Sequence, residues 1–161
     1  MQISSQCEAQ EQDSVFLNIA LLQMRSEWDT VWTFNKADEF CRIAKEKGAD
    51  IALFPEMIQH SYYGVDFEKP DALKAFKEMA VTQNSSFVNH FKNLAKELNM
   101  AIVITYLEER KGEKLPRNSA SLIDRNGNIV FTYTKVHTCD FGKMENSTTP
   151  GDDFYVRELD T

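Results

Sequence analysis

Two charged residues in this sequence follow short apolar runs, at positions where an active site could form. Glu56 comes directly after Phe54-Pro55, and Lys135 comes directly after Tyr133-Thr134. On an α/β scaffold, chemistry is usually carried by residues at the point where a strand gives way to a loop. A carboxylate there can accept a proton, and a lysine there can stabilise a developing oxyanion in acyl transfer. Each residue alone is typical of an ordinary surface side chain. A catalytic role can therefore be inferred only from the surrounding sequence.

Candidate nucleophiles and metal ligands are few. Cys139 lies four residues after Lys135 and is the cysteine nearest to it in sequence. Cys41 falls on the apolar side of a predicted helix, where a thiol behaves as a small buried hydrophobe, and Cys7 lies in a polar segment. His137 and Cys139 offer two ligands, fewer than the three or four protein ligands of a zinc site. We therefore predict no metal site and no organic cofactor.

The composition indicates one soluble domain. The chain has 161 residues, of which 42% are hydrophobic, and its formal net charge is -7. A negative chain is a poor partner for nucleic acid or an anionic membrane, because such binding depends on lysine and arginine. The longest apolar run, 100–104, is far shorter than the roughly 20 residues of a membrane-spanning helix. Three widely spaced cysteines and the lack of a secretory signal predict a reduced, cytoplasmic protein.

The N-terminal half is predicted to form a strand-helix-strand unit that places Glu56. Residues 1–14 are polar and predict a disordered leader, so the domain is expected to occupy residues 15–161. Residues 16–24 have few polar interruptions and predict an interior strand. An amphipathic helix over 33–47 and a short strand over 51–54 follow, and this order indicates a parallel pair.

Two more helices and a hairpin are predicted before Lys135. Residues 71–80 predict a short helix with Leu73 and Phe76 on one side, and Ser85 or Ser86 can cap a second helix. Residues 108–117 are charged and predict a surface connection. Asn-Gly between two β-prone runs is a strong hairpin signal, and its second arm ends at Lys135. The predicted strands of this part are 100–107, 120–123 and 129–134, followed by a last, imperfectly alternating element over 154–159.

Four segments together resemble the nitrilase superfamily of carbon-nitrogen hydrolases. In chain order they are Gly48-Ala49-Asp50-Ile51-Ala52-Leu53-Phe54-Pro55-Glu56, Asn118-Ser119-Ala120-Ser121-Leu122-Ile123-Asp124 with Gly127, Tyr133-Thr134-Lys135-Val136-His137, and Pro150-Gly151. Their order and spacing resemble the superfamily across nearly all of residues 16–160. The resemblance implies an α/β fold, the N-terminal part of a four-layer α-β-β-α sandwich.

The resemblance also implies a Glu-Lys-Cys catalytic set that hydrolyses a non-peptide C–N bond through an acyl-thioester. Glu56 would be the general base and Lys135 the cation beside the oxyanion. Glu145 is either the positioning glutamate that many members carry or a loop carboxylate. Tyr62 and Tyr63 either wall a substrate pocket or pack under a loop.

The superfamily's cysteine lies in a later segment, which this chain ends before. The leading hypothesis is a hydrolase of a small amide, carbamoyl or nitrile substrate that is inactive as these 161 residues alone. The complete protein is expected to form a homo-oligomer, as members commonly do. The alternatives are a naturally short, non-catalytic binding or assembly module and a different thiol enzyme built on Cys139.

Overall fold

A five-stranded sheet organises the residues that the computed structural model describes, 16–60, 65–139 and 143–160. Its strands lie side by side in chain order. They are β1 (Ile19–Leu21), β2 (Ile51–Leu53), β3 (Ala101–Glu108), β4 (Arg117–Ile123) and β5 (Ile129–Thr134). Strands β1, β2 and β3 are parallel, and β4 and β5 are each antiparallel to the preceding strand. The predicted parallel pair and the predicted hairpin are confirmed.

Two of the three described α-helices begin at residues whose side chains satisfy free backbone N–H groups. Asp29 accepts a hydrogen bond from the Trp32 N–H, and Ser85 accepts one from the Val88 N–H, so Ser85 is the cap of the two predicted candidates. The helices are α1 (Thr30–Glu46), α2 (Ala72–Glu78) and α3 (Ser86–Leu98), with a 3₁₀ turn at Glu145–Ser147. Gly48 follows α1 with φ +81°, a conformation that glycine adopts without the steric cost of a side chain.

The main core lies between one face of the sheet and the pair α1 and α3. Successive residues of a strand point to opposite faces, so every second residue of β3 contacts these helices. The buried side chains of this core include Ala37, Cys41 and Ala44 of α1, Phe87, Phe91 and Leu94 of α3, and Ile102, Ile104 and Tyr106 of β3. Helices α1 and α3 therefore form a layer that covers one face of the sheet.

The opposite face of the sheet is covered only in part by the described residues. Helix α2 packs there through Phe76, which forms a small cluster with Met57 and Leu107. Leu73 was predicted to share the buried side of α2, but it is exposed. Because α2 has only seven residues, one large apolar side chain is enough to attach it.

The strand predicted within 16–24 is present, but its predicted length and its predicted interior position were wrong. Strand β1 comprises only three residues and lies at the edge of the sheet, where Ile19 is 53% exposed and Leu21 72% exposed. A run that is apolar on both sides is typical of a strand covered on both faces. Among the described residues, no element covers the outer side of β1. Ile19 and Leu21 are therefore exposed, although the sequence pattern predicts that they are buried.

Two further predictions need correction. Glu108 was assigned to a charged surface connection, but it is the last residue of β3 and is buried. The element predicted over 154–159 is neither helix nor strand. Its aromatic rings instead lie near those of β5. The ring centroids of Phe154 and Tyr133 are 6.3 Å apart, and those of Tyr155 and Phe131 are 6.1 Å apart. The predicted leader, residues 1–14, lies outside the described residues.

Asp124 stabilises the hairpin turn that leads into β5, and its removal is expected to weaken the fold in a pH-dependent way. Its carboxylate accepts hydrogen bonds from the backbone N–H groups of Asn126 and Asn128. Partial burial opposes the charge, but these bonds outweigh it and hold the pKa of Asp124 below its ordinary value. A lowered carboxyl pKa contributes stability above the ordinary value near 3.8, and this contribution is lost as the pH falls through the lowered pKa.

We therefore expect Asp124→Ala to reduce the free energy of unfolding by about 1–2 kcal/mol at pH 7, and by less at pH 3. Urea unfolding at the two pH values measures both numbers. Asp71→Ala is the matched control, because Asp71 precedes α2 without a side-chain capping bond. Equal losses in the two variants, or a loss that does not change with pH, would contradict the assignment.

Candidate active site

Glu56 and Lys135 meet on the sheet face that α1 and α3 do not cover. The Lys135 ammonium donates to Glu56 Oε1 at 2.9 Å, although 79 positions separate the two residues in sequence. Both border a small cavity with Thr105, whose side chain points away from the α1 and α3 core because it alternates with Ile104. The two sequence-predicted residues therefore share one site.

The turn after β2 is fixed by a single threonine of β3. Thr105 Oγ1 accepts a hydrogen bond from the Ile58 N–H at 3.1 Å and donates to the Pro55 carbonyl oxygen. Between these two contacts lies Met57, with φ +56°, a left-handed conformation that reverses the chain just after Glu56. Thr105 thus ties down the backbone on both sides of the catalytic candidate.

Lys135 is fixed by two backbone hydrogen bonds at the end of β5. Its N–H donates to the Asn118 carbonyl at 2.9 Å, and its own carbonyl accepts from the Gly151 N–H at 2.9 Å. A Cβ atom at Gly151 would collide with the Thr134 carbonyl oxygen. Glycine is therefore needed for this close approach, and this gives the Pro150-Gly151 segment a physical role in placing Lys135.

Glu145 completes a row of three charged groups. Lys135 Nζ donates to Glu145 Oε1 at 2.7 Å, and the Cys139 backbone N–H donates to Glu145 Oε2 at 3.2 Å. Glu145 begins the 3₁₀ turn and is only 7% exposed, whereas the Glu56 side chain is 45% exposed. The ammonium therefore lies between a buried carboxylate and one that faces solvent.

Both carboxylates hold Lys135 in its charged form. Partial burial lowers the pKa of Lys135, but the hydrogen bonds and charges of Glu145 and Glu56 outweigh it, so the pKa lies well above its ordinary value. A raised lysine pKa contributes stability that is fully present below the ordinary value near 10.5 and is lost only as the pH rises through the raised value. The cation is thus constant throughout the neutral range.

Glu56 borders a second, larger cavity on its solvent side. This cavity has a volume of about 530 Å³ and is lined by Gln23, Arg25, Ser26 and Ile58 among others. A small organic molecule fits such a volume. A cavity of about 610 Å³ between α2 and the β3–β4 connection includes neither Glu56 nor Lys135, so its size alone does not mark it as the reaction site.

The sequence model of the carbon-nitrogen hydrolase family matches residues 18–158. The chain belongs to the carbon-nitrogen hydrolase family. The resemblance that the four sequence segments indicated is thereby confirmed. Among curated relatives, the N-carbamoylputrescine amidase of Solanum tuberosum is 28% identical in an alignment that covers 77% of this chain and 39% of the relative. The enzyme of the same name from Oryza sativa subsp. japonica is 30% identical, and the alignment covers 65% of this chain and 33% of the relative.

Solved structures of hydrolases show the same fold. An amidase from Nesterenkonia sp. superposes with a TM-score of 0.68 at 22% identity, covering 85% of this chain and 49% of that one. The carbon-nitrogen hydrolase from Helicobacter pylori G27 gives a TM-score of 0.68 at 21% identity, covering 84% and 45%. The predicted α/β fold is confirmed. This chain spans about two fifths of the curated relatives' length and about half of these solved chains.

The remaining residues that the sequence suggested lie outside the site formed by Glu56, Lys135 and Glu145 or beyond the part of the chain that the structure describes. Tyr62 and Tyr63, predicted to bind substrate, lie outside the described residues. Cys139 is partly buried, and its backbone N–H binds Glu145. Burial raises the pKa of the Cys41 thiol to about 12, so this thiol is protonated and unreactive. The described residues contain no cluster of three metal-binding side chains, and none of their helices could cross a membrane.

Sequence reasoning missed one polar neighbour of the candidate site. The Asn118 side chain donates to Glu56 Oε1 at 2.6 Å and is buried. Asn118 was part of the segment that carried the resemblance, but it received no role. The hairpin register could have identified it, because Ser119 pairs with Thr134 and Asn118 therefore lies beside Lys135.

Proposed function

We propose that this chain is the N-terminal part of a carbon-nitrogen hydrolase that cleaves a small amide or N-carbamoyl compound. Glu56 is the general base, Lys135 is the cation beside the oxyanion, and the nucleophile is a cysteine beyond Thr161. The observation that carries this proposal is the hydrogen-bonded row of Glu56, Lys135 and Glu145. The similarity to N-carbamoylputrescine amidases supports an amide or carbamoyl substrate rather than a nitrile.

A thioester route fits this row. The cysteine thiol gives its proton to Glu56 as its sulfur attacks the carbonyl carbon, and the carbonyl electrons move onto the oxygen. Lys135 is the nearest fixed positive charge and stabilises that oxyanion. When the tetrahedral adduct collapses, the leaving nitrogen takes the proton from Glu56 and a thioester remains. Glu56 then accepts a proton from a water molecule whose oxygen attacks the thioester carbon. When this second adduct collapses, the carboxylic acid is released and the sulfur takes the proton back from Glu56, which restores the thiol.

Glu145 is a positioning residue in this proposal. It holds the Lys135 ammonium from the buried side and is itself held by the Cys139 N–H. The row of two carboxylates and one ammonium carries a net negative charge. The Nesterenkonia amidase has an active-site cysteine to which acrylamide adds, and this supports a thiol nucleophile in the same fold.

The remaining parts of the proposal concern the complete protein, meaning the product of the whole reading frame that contains this chain. We propose that this complete hydrolase is cytoplasmic, forms a homo-oligomer and needs no metal. Its nucleophile is supplied by sequence after Thr161, so the 161-residue chain by itself is expected to be inactive. Loss of one member of a nucleophile-base set costs on the order of 10⁴ to 10⁶ in rate, which accounts for this expectation.

Ammonia release tests the proposal. The complete hydrolase is assayed with N-carbamoylputrescine, a simple aliphatic amide and a nitrile, beside the 161-residue chain and a Glu56→Gln variant of each. We expect release by the complete hydrolase only, abolished by Glu56→Gln. Activity of the 161-residue chain above its Glu56→Gln control would overturn the assignment of a later nucleophile, and loss of that activity in Cys139→Ser would then point to Cys139. A reading frame that ends at Thr161, with a folded and inactive product, would instead favour a non-catalytic module.

A further inference from the structure

We propose that Asn118 is a positioning residue that holds one oxygen of the Glu56 carboxylate, so that the other oxygen, Oε2, receives the nucleophile's proton. The proposal rests on the role of Glu56 as the general base. It assigns a function to a side chain that carries no charge and cannot itself transfer the proton.

Two donors bind the same oxygen of Glu56. Asn118 Nδ2 donates to Oε1 at 2.6 Å, and Lys135 Nζ donates to Oε1 at 2.9 Å. A carboxylate oxygen has about two lone-pair sites, so these two bonds occupy Oε1. Among the described residues, no hydrogen-bond donor binds Oε2. Glu56 also borders the 530 Å³ cavity, where a substrate would fit. We therefore assign Oε1 to anchoring the carboxylate and Oε2 to proton transfer.

The position of Asn118 links both catalytic candidates. Its side chain binds Glu56, and its backbone carbonyl accepts the Lys135 N–H at 2.9 Å. The backbone bond follows from the pairing of β4 with β5, and any residue at this position can make it. Only the amide side chain makes the bond to Glu56. A side-chain substitution therefore removes one of the two links and leaves the other in place.

A neutral donor suits a base that must gain and lose a proton. Within the described ranges, the charged groups around Glu56 are Lys135 at the end of β5, Glu145 behind Lys135, and Arg25 in the wall of the larger cavity. A second cation in direct contact would add positive charge beside the proposed base. An amide fixes the orientation of the carboxylate without adding charge. Asn118 is 8% exposed, so water competes little for its N–H groups.

Titration of the Glu56 carboxyl carbon by NMR tests this role in the 161-residue chain without requiring activity. A Glu56→Gln sample assigns the signal. In Asn118→Ala we expect the titration midpoint to rise by about 0.5–1 pH unit, because the charged form loses a donor. In Asn118→Asp, which has nearly the same shape, we expect a rise of about one unit or more, because a second carboxylate faces Glu56.

Asn89, in the first turn of α3, supplies the matched control, since within the described part of the chain its exposed side chain donates only to the carbonyl of Asn84, which precedes the helix. Asn89→Ala and Asn89→Asp are expected to leave the Glu56 midpoint unchanged. A midpoint that does not move in either Asn118 variant overturns the proposal. An unfolded Asn118→Asp protein also overturns it, because the amide would then serve the fold rather than the carboxylate. The proposed hydrolase function fails separately, if the complete hydrolase works equally well with Glu56→Gln.

Discussion

Replacing Lys135 with methionine is expected to lower kcat/KM of the complete hydrolase by about 10³-fold or more. Methionine has a similar length but no charge and no donor. The oxyanion loses its nearest cation, and Glu56 and Glu145 lose the ammonium that lies between them at 2.9 and 2.7 Å. Fixed charges aimed at a developing oxyanion are among the largest contributions to acyl transfer, so this substitution acts on the chemical step.

The same substitution has a smaller effect on stability. Glu145 is 7% exposed and would be left without its ammonium partner, although the Cys139 N–H still binds it. We expect a loss of about 1–3 kcal/mol in the free energy of unfolding. Steady-state kinetics and urea unfolding on one preparation separate the two effects. Protein that remains folded but has lost turnover supports the catalytic role.

Lys143→Met is the control for Lys135→Met. Lys143 also pairs with a glutamate, Glu68, but both side chains are more than half exposed. An exposed ion pair contributes little, so neither kcat/KM nor stability should change measurably. Turnover of Lys135→Met within tenfold of the unaltered enzyme would contradict a role for Lys135 at the oxyanion.

The sequence predicts the site residues that have a local signal, and it misses those whose contacts depend on long-range packing. Glu56 and Lys135 were identifiable because each follows an apolar strand and because the surrounding segments resemble a known superfamily. Asn118 has no such local signal. Its partner is decided by the register of β4 against β5 and by the turn after β2, which are both long-range properties.

The errors in the fold have a similar cause. An apolar run such as 16–24 reports that side chains avoid water, but it does not say which element covers them. The structure places β1 at an edge, with Leu21 largely exposed in the described part of the protein. For Glu108 the error is the reverse: a charged residue next to other charged residues predicts an exposed position, but Glu108 is buried. It is buried because three polar side chains satisfy it, and two of them, Gln83 and Ser119, are distant in sequence.

These partners form a polar cluster under the end of β5. Glu108 accepts hydrogen bonds from Gln83, Ser119 and Arg110, at 3.0, 2.7 and 3.0 Å. Arg110 also donates to Thr134 Oγ1 at 3.3 Å, and Thr134 directly precedes Lys135. Thr134 and Lys135 point to opposite faces of the sheet. The cluster therefore anchors, from the helix side, the strand end that presents Lys135 on the other side.

Arg110→Met is expected to be strongly destabilising for this reason. Glu108 is 1% exposed, and removal of its only direct ion-pair partner among the described residues leaves a buried carboxylate. Breaking a buried ion pair costs about 3–5 kcal/mol. The Arg110 side chain is 35% exposed, so water reaches this site in part, and we expect a loss near the lower end, about 3 kcal/mol. Denaturant unfolding at neutral pH measures it.

A surface arginine and a double variant distinguish burial of charge from simple loss of an arginine. Arg42 also contacts two carboxylates, Asp38 and Glu97, but its side chain is 42% exposed, so Arg42→Met should cost less than about 1 kcal/mol. Adding Glu108→Gln to Arg110→Met removes the uncompensated charge and should recover part of the lost stability. If the double variant is less stable than Arg110→Met alone, Glu108 is stabilised by its neutral donors rather than by Arg110, and the anchor beneath Lys135 is a hydrogen-bond network without a required ion pair.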